Sequence, residues 1–309
     1  MLRFIAKRAA YALISLAILS FTIFLLMRVS GDPAALLAAP NATNEEIAEV
    51  RTRLGLDQPL VVQYLTYVGN LARGDFGQSF QYGAPVLELY LSRLPSSLYL
   101  AAVALAFSLL VGVPVGVLSA VKSGGLWDRF ARIFAMLGLA LPSFWLGLIF
   151  ILVFSVYLRW LPSSGSGSPL HIILPAVTLG WYFTAAHMRL TRSSMLDVMG
   201  SEYIKLARLK GLPEWLVIGK HALRNALIPL VTLAGINLVQ MVNASVVVEA
   251  IFAWPGIGRL LFEGISQRDF PVVQGVVVLG GVMIVTVNLL VDILYAVIDP
   301  RIKLEAQAV

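Results

Sequence analysis

The sequence predicts an all-α, polytopic membrane fold, and three observations carry the prediction. Of its 309 residues, 59% are hydrophobic and 13% are charged, against the ~25% charge typical of soluble domains. The mean hydropathy of +0.84 means more apolar surface than one soluble core can hide, so part of it must face lipid. Six apolar runs also come close to or exceed the ~20 residues that a helix needs to cross a bilayer. They cover roughly 9–27, 97–121, 130–157, 172–188, 230–252 and 272–298.

The same composition excludes disorder, which requires few apolar residues and many charges. Zero cysteine excludes disulfides, zinc–thiolate sites, iron–sulfur clusters and cysteine nucleophiles together. The net charge of +6 is the basic excess expected of a membrane protein rather than a nucleic-acid footprint.

The first run follows Arg3, Lys7 and Arg8. Its apolar core is longer than the ~7–15 residues of a signal-peptide core, so residues 1–29 read as a retained anchor. Residues 30–96 form an external helical lid. Thr43-Asn-Glu-Glu46 is a capping box leading into Ile47, Val50 and Leu54, with Gly55 as the stop. A second helix starts at Pro59, places Leu60, Tyr64, Leu65, Val68 and Leu71 on one face, and stops by Gly74.

Residues 97–309 hold the remaining five spans. In the second, Gly112-x-Pro-x-Gly116 permits close helix approach. The third is overlong and contains Pro142, which predicts a kinked or tilted helix. Residues 163–168 form a flexible outer turn, and the short fourth span tolerates Pro175 near its start. Of the 23 lysines and arginines, fifteen fall on the side that holds both termini, and eight on the other. That bias places both termini in the cytoplasm.

Residues 191–226 are the longest cytoplasmic segment. Within it, Ser201-Glu-Tyr-Ile-Lys-Leu-Ala-Arg-Leu-Lys-Gly211 reads as a short basic helix closed by a glycine able to take the left-handed conformation. Glu202 and Lys205 are spaced to pair, and Arg208 continues their face toward a partner. Pro213 opens a second helix that runs to about Asn225. Such a hairpin either lies on anionic lipid or plugs its tip into a groove on a partner.

Polar residues within the spans point to function by default. Thr232, Asn237, Gln240 and Asn243 share one broad arc of span five, as path lining or as interhelix glue, and amide groups there suit a peptide-like solute. Asn288, Asp292 and Tyr295 share a face of span six, as path lining or as an interhelical structural pair. Glu249 and Trp254-Pro255-Gly256 end span five, as an outer gate or as a plain helix-ending turn.

Catalytic signals are missing from the sequence. His171, His187 and His221 have no partner at i+3 or i+4, so there is no helical metal pair. Gly219-Lys220-His221 mimics the end of a phosphate-binding loop but lacks the earlier glycine and the Ser/Thr. No catalytic residue and no ATP site of the chain's own is therefore expected.

Lys205-Leu-Ala-x-x-x-Gly211, followed by His221-Ala-Leu-Arg-Asn-Ala-Leu-Ile-Pro229, resembles the EAA loop of ATP-binding-cassette (ABC) importer membrane subunits. More narrowly it resembles the first, B-type subunit of the dipeptide/oligopeptide/nickel permease family. Lys205, Leu206, His221 and Arg224 depart from the general loop, but Glu202-Tyr203 and the 221–225 run are that family's own variants. In the same order come Gly31-Asp-Pro33, Leu54-Gly-Leu-Asp-Gln-Pro59, Gly74-Asp-Phe-Gly-Gln-Ser79, Leu141-Pro-Ser-Phe-Trp145, Trp160-Leu-Pro162 and Glu249-Ala-Ile-Phe-Ala-Trp-Pro-Gly-Ile-Gly258. Arg268-Asp-Phe-Pro271 and Asp299-Pro-Arg301 follow, so the resemblance covers nearly the whole chain.

The resemblance implies a MetI-like importer permease architecture in a bacterial cytoplasmic (inner) membrane. It implies a hetero-oligomer with a second permease, two cytoplasmic ATPase subunits that bind ATP and Mg, and an external solute-binding protein. Coupling to an ATPase maps to Glu202, Tyr203, Lys205, Leu206, Ala207, Arg208, Lys210 and Gly211, supported by His221, Arg224 and Asn225. The solute class is di- or oligopeptides, glutathione, nickel chelates or sugars. A self-sufficient secondary transporter or channel is the alternative; it calls for coupling-ion carboxylates at mid-membrane and internal repeats, of which only Asp292 is present.

Overall fold

The computed structural model describes the backbone of residues 2–30, 34, 43–53 and 55–298, and side chains for most of these up to residue 288. The described residues are mostly helical, with no strand among them. Five helical segments are long and apolar enough to cross a membrane: Ala10–Val29, Val86–Val121, Pro169–Met199, Glu214–Ile251 and Phe270–Asn288. A sixth candidate is broken and bent by 107° between Leu126–Ala140 and Ser143–Tyr157. The chain divides into two compact units, residues 1–94 with 260–309, and residues 95–259.

The first unit is built on α1 (Leu2–Ser30) and α11 (Phe270–Ile298), which lie side by side. Its core gathers Ile23, Val273 and Val278, with Met27, Leu71 and Phe76 against them. The capping box forms as predicted at the start of α2 (Asn44–Arg53). The Thr43 N–H donates to Glu46 Oε2 at 2.7 Å, and the Glu46 N–H donates to Thr43 Oγ1 at 3.3 Å. Pro59 opens α3 (Leu60–Ala72), and Gly55 and Gly74 take positive φ beyond the two helix ends.

The face of α3 matches the expected one in part: Tyr64 and Leu71 pack inward as expected, Tyr67 turns in with them, and Leu60, Leu65 and Val68 are exposed. Tyr64 and Tyr67 turn inward onto Phe21 and Phe24 of α1, and the Tyr64 hydroxyl bonds Ser20 Oγ at 3.0 Å. Between α3 and α4, Ser79 donates to Asp269 Oδ2 at 2.5 Å, and the Gln81 N–H donates to the same oxygen at 3.1 Å.

The second unit holds most of α4 (Val86–Val121), then α5 (Leu126–Ala140), α6 (Ser143–Phe150), α7 (Ile173–Met199), α8 (Glu202–Leu209), α9 (Leu223–Ile251) and the start of α10 (Ile257–Ser266). α7 is central and packs against α9, α5 and α6. Its buried positions include Thr178, Thr184, His187 and Thr191, and these polar groups are mostly matched inside. Thr184 and Thr191 bond back to the carbonyls of Gly180 and His187. His187 is bonded by Ser108 at Nδ1 (3.1 Å) and by Asn237 at Nε2 (3.0 Å). Gly112 and Gly116 let α4 approach the α7 backbone, because a Cβ at either would fall 2.9 or 2.7 Å from the carbonyl oxygens of Thr184 or Met188.

Three expected spans change in outline. α4 starts at Val86 rather than near 97 and passes Pro95 and Pro114 unbroken. α7 continues past 188 to Met199. The third run, expected as one kinked helix, is instead two helices. Leu141 is extended (φ −82°, ψ 126°), the conformation that a following proline enforces, and Pro142 starts the chain in a new direction. The second half continues from α6 as a π-helical stretch, Ile151–Tyr157.

Candidate functional site

Three regions of the second unit and one of the first hold the residues that the sequence singles out, and the structure adds a fourth region in the second unit. The hairpin comes first. α8 spans Glu202–Leu209, and Gly211 reverses the chain at φ +74°. Ile204 and Ala207 are buried with Val217, Ala222 and Ala226 against Ala120 of α4 and Met195 of α7. One side of the hairpin is thus fixed to two long helices. The other presents Tyr203, Leu206, Leu209 and Trp215 to the exterior, with Leu209 84% and Trp215 74% exposed.

Its polar contacts are superficial. Lys205 Nζ lies 2.8 Å from Glu202 Oε1, as the spacing predicts. Arg208 does not continue that face outward as expected. It folds across the turn onto Glu214, with Nη2 2.6 Å from Oε1, because the reversal at Gly211 brings the second arm within its reach. Asn225 Nδ2 donates to the Tyr203 hydroxyl at 3.0 Å, tying the arms together near the base. Lys210 and Arg224 are exposed, and His221 is half-buried. The second arm also differs from a separate helix ending near Asn225. A single turn, Glu214–Leu216, and a π-helical stretch, Val217–Ala222, lead without interruption into α9.

The corner after α9 is built from buried polar groups. Glu249 is fully buried. Its Oε1 accepts from Ser97 and Ser245, both at 2.7 Å, and its Oε2 accepts from the Gly258 N–H at 2.7 Å and the Arg259 N–H at 3.2 Å. Two of these donors are first-turn N–H groups at the start of α10, where a negative charge is favoured. Trp254 Nε1 donates to the Ser96 carbonyl at 3.0 Å, and its ring stacks on Tyr99. Gly256 is required by contact, since a Cβ there would lie 2.2 Å from Glu249 Oε2. Pro255 occupies the turn between Trp254 and Gly256 and is half-buried.

The third region was not singled out by the sequence. Asp128 at the start of α5 is buried; its Oδ1 lies 2.7 Å from Arg192 Nε of α7 and accepts from Ser119 Oγ of α4 at 2.7 Å. The Gly124 N–H donates to Oδ2 at 2.9 Å. This group joins α4, α5 and α7 beside the hairpin's buried face. Its local sequence signal is the i,i+4 spacing of Asp128 and Arg132, whose Nη2 lies 3.4 Å from Oδ2; the closer partner, Arg192, stands 64 residues away, beyond any spacing rule.

The polar arc of span five divides. Asn237 is buried on His187, whereas Gln240, Asn243 and Thr232 are exposed, and Asn243 Nδ2 bonds the Val239 carbonyl. In the first unit, Asn288 is exposed on α11. The side chains of Asp292 and Tyr295 lie outside the described residues.

With this geometry in hand, comparisons with known proteins agree along the chain. Residues 112–304 match the family model described as binding-protein-dependent transport system inner membrane component, and residues 1–101 match the model for its N-terminal region. The glutathione transport system permease protein GsiC of Salmonella paratyphi A and that of Escherichia coli K12 are each 41% identical over 304 residues. The match spans 98% of this chain and 99% of either relative. Among solved structures, the MetNI methionine ABC transporter is similar with a TM-score of 0.58 at 22% identity, over 69% of this chain and 97% of that one. An amino acid ABC transporter follows at a TM-score of 0.51 and 16% identity, over 67% and 92%. The fold is thus that of the MetI-type permeases, and the chain belongs to the family of binding-protein-dependent inner membrane components, the permease subunits of ABC importers.

Proposed function

We propose that this chain forms one half of the membrane pathway through which a peptide-like solute enters the cytoplasm. The solute class rests on the glutathione permeases that match it end to end. A second, similar permease completes the pathway, and an external binding protein delivers the solute. Two cytoplasmic ATPase subunits bind ATP with Mg and hydrolyse it. Both termini and the 191–226 segment face the cytoplasm, and residues 30–96 form the external helical segment before the 97–309 transmembrane domain.

The observation that carries the reading is the two-sided hairpin. Its inner face, Ile204, Ala207 and Val217, is packed on α4 and α7. Its outer face carries Leu206, Leu209 and Trp215 in the open, side chains suited to a groove on an ATPase. A push on α8 therefore reaches α4 and α7 directly, and ATP binding by the partners biases two arrangements of the pathway. Asn237 braces α9 against α7. Gln240, Asn243, Asn288 and Asp292 are left as path candidates, and Glu249, Trp254, Pro255 and Gly256 as the frame of the outer gate.

The test is assembly. The purified chain should not hydrolyse ATP, and its complex with the ATPase subunits should, with stimulation by the loaded binding protein. Because the chain contains no cysteine, single introduced thiols report sidedness without a background. Positions 49 and 166 should label from outside intact cells and position 209 should not. Turnover by the contamination-free chain, or outside labelling at 209, would overturn the reading.

A further inference from the structure

We propose that the break between α5 and α6 holds a subsite for a hydrogen-bond-accepting group of the solute, a terminal carboxylate. The proposal deepens the peptide-like solute reading and rests on it. A cavity of about 310 Å³ opens there, lined by Leu141, Ser143, Thr178, Trp181, Tyr182 and Gln240 among others. It lies at the low end of the ~300–1,000 Å³ of ligand pockets, enough for one end of a short peptide.

Backbone as irregular as Leu141–Pro142 is tolerated at membrane depth only inside protein or beside a cavity. Here it lies beside one. α6 begins at Ser143 with no side-chain cap, so its first N–H groups have no partner within the helix and carry the positive end of the helix dipole.

Two of the residues that line the cavity each hold a buried polar atom without a partner. Thr178 is 1% exposed, and its Oγ1 bonds nothing, although Thr184 and Thr191 on the same helix both bond back to α7 carbonyls. Trp181 Nε1 is likewise buried and unpartnered. The indole is wedged between Phe134 of α5 and Phe150 of α6, so both halves of the broken span fix its position.

Leaving such atoms unpaired is unfavourable for the fold, which points to a ligand that completes them. The indole and the helix N–H groups can only donate, and the hydroxyl donates readily. No charged side chain lines the cavity. The complementary group is therefore an acceptor, and the helix start favours one that is anionic. Gln240, whose amide both donates and accepts, suits the adjoining peptide group.

The experiment uses the importer assembled with its partners in proteoliposomes. Thr178→Val keeps the shape and removes the hydroxyl; Trp181→Phe removes the indole N–H. Each should lower glutathione uptake per ATP hydrolysed about tenfold, the loss expected for one charge-assisted hydrogen bond. Assembly and binding-protein affinity should stay unchanged, and Thr178→Ser should retain uptake. A direct readout comes from Gln240→Cys, whose labelling by a small thiosulfonate should slow at least fivefold with trialanine and remain unchanged with trialanine amide. Wild-type uptake in both Thr178→Val and Trp181→Phe, with no protection by trialanine, overturns the subsite, as does an acyl chain found filling the cavity while uptake is normal. If trialanine protects but the importer moves no peptide, the subsite stands and the solute reading falls.

Discussion

At its start, α9 continues from a hairpin whose ion pairs lie in solvent; at its end, it turns through a corner whose carboxylate is sealed from solvent. Lys205–Glu202 and Arg208–Glu214 are exposed pairs, the kind that contribute little to stability. The corner instead buries Glu249 under four donors, and a buried charge that loses its partners is strongly unfavourable. The difference teaches where identity is fixed by the fold and where it is left to a partner. A change in the corner should act on folding first, and a change in the hairpin should act on coupling alone. Four variants, in falling order of their effect on stability, test that division.

Glu249→Ala should be the most damaging. It leaves the N–H groups of Gly258 and Arg259 and the hydroxyls of Ser97 and Ser245 facing a cavity, and should cost about 4 kcal/mol. The expected result is loss of monodisperse protein in detergent or a steep fall in its unfolding midpoint. Glu249→Gln keeps an acceptor for the α10 N–H groups and should retain part of that stability. A Glu249→Ala protein as stable as the parent would show that the corner is not the stable end.

Asp128→Ala comes second, at about 3 kcal/mol or somewhat less. A buried pair is broken, but Arg192 keeps a quarter of its side-chain surface in contact with solvent and so remains partly hydrated. Because the group ties α4, α5 and α7 together beside the hairpin core, transport should fall along with the unfolding midpoint. Asp128 thus lies between the two regimes and measures how far the hairpin's mechanical path depends on buried charge.

The contrast also explains what was legible in the sequence. Local chemistry was: the Thr43–Glu46 box, the Pro59 start, the reversal at Gly211 and the Glu202–Lys205 pair are set by residues within a turn of one another, and hydropathy located the spans. Partners across the fold were not. Glu249 meets Ser97 across 152 residues, and Asp128 meets Arg192 across 64. No spacing rule reaches that far. Faces were read only in part: α3 turns Tyr67 inward beside Tyr64 and Leu71 and leaves Leu60 and Leu65 outside, and α7 buries threonines and a histidine. The break at Pro142 was visible as a proline, but its angle depends on how both halves pack on α7. Arg208 was assigned to a partner because a helical face was extrapolated past the turn that bends it back onto Glu214.

Gly211→Val is third. At φ +74° the new side chain meets no atom within 4 Å, so the cost is the left-handed backbone itself, roughly 1–2 kcal/mol. It should tilt or fray α8 and leave the spans intact. Helical content by circular dichroism should barely change, while ATPase docking and uptake fall together. Normal docking and transport by this variant would return the hairpin to a lipid-surface role.

Leu209→Glu combined with Trp215→Glu should disturb the fold least. Both side chains are exposed and stand apart from the hairpin's buried face, so stability should change by no more than about 0.5 kcal/mol. Docking should respond differently. A groove that accepts two large apolar groups must desolvate two carboxylates instead; Lys205 and Arg208 are already engaged by Glu202 and Glu214, which leaves exposed Lys210 to offset only part of that penalty. An apolar knob fully buried at an interface core is worth a few kcal/mol of binding, so affinity for the ATPase subunits should fall by two orders of magnitude or more. The measurement is co-purification with the ATPases beside an unfolding curve of the variant alone. An unchanged curve with lost co-purification places the hairpin tip in the partner's groove. A parallel loss of both would mean that the tip is part of the permease's own core, and the division between the two ends of α9 would collapse.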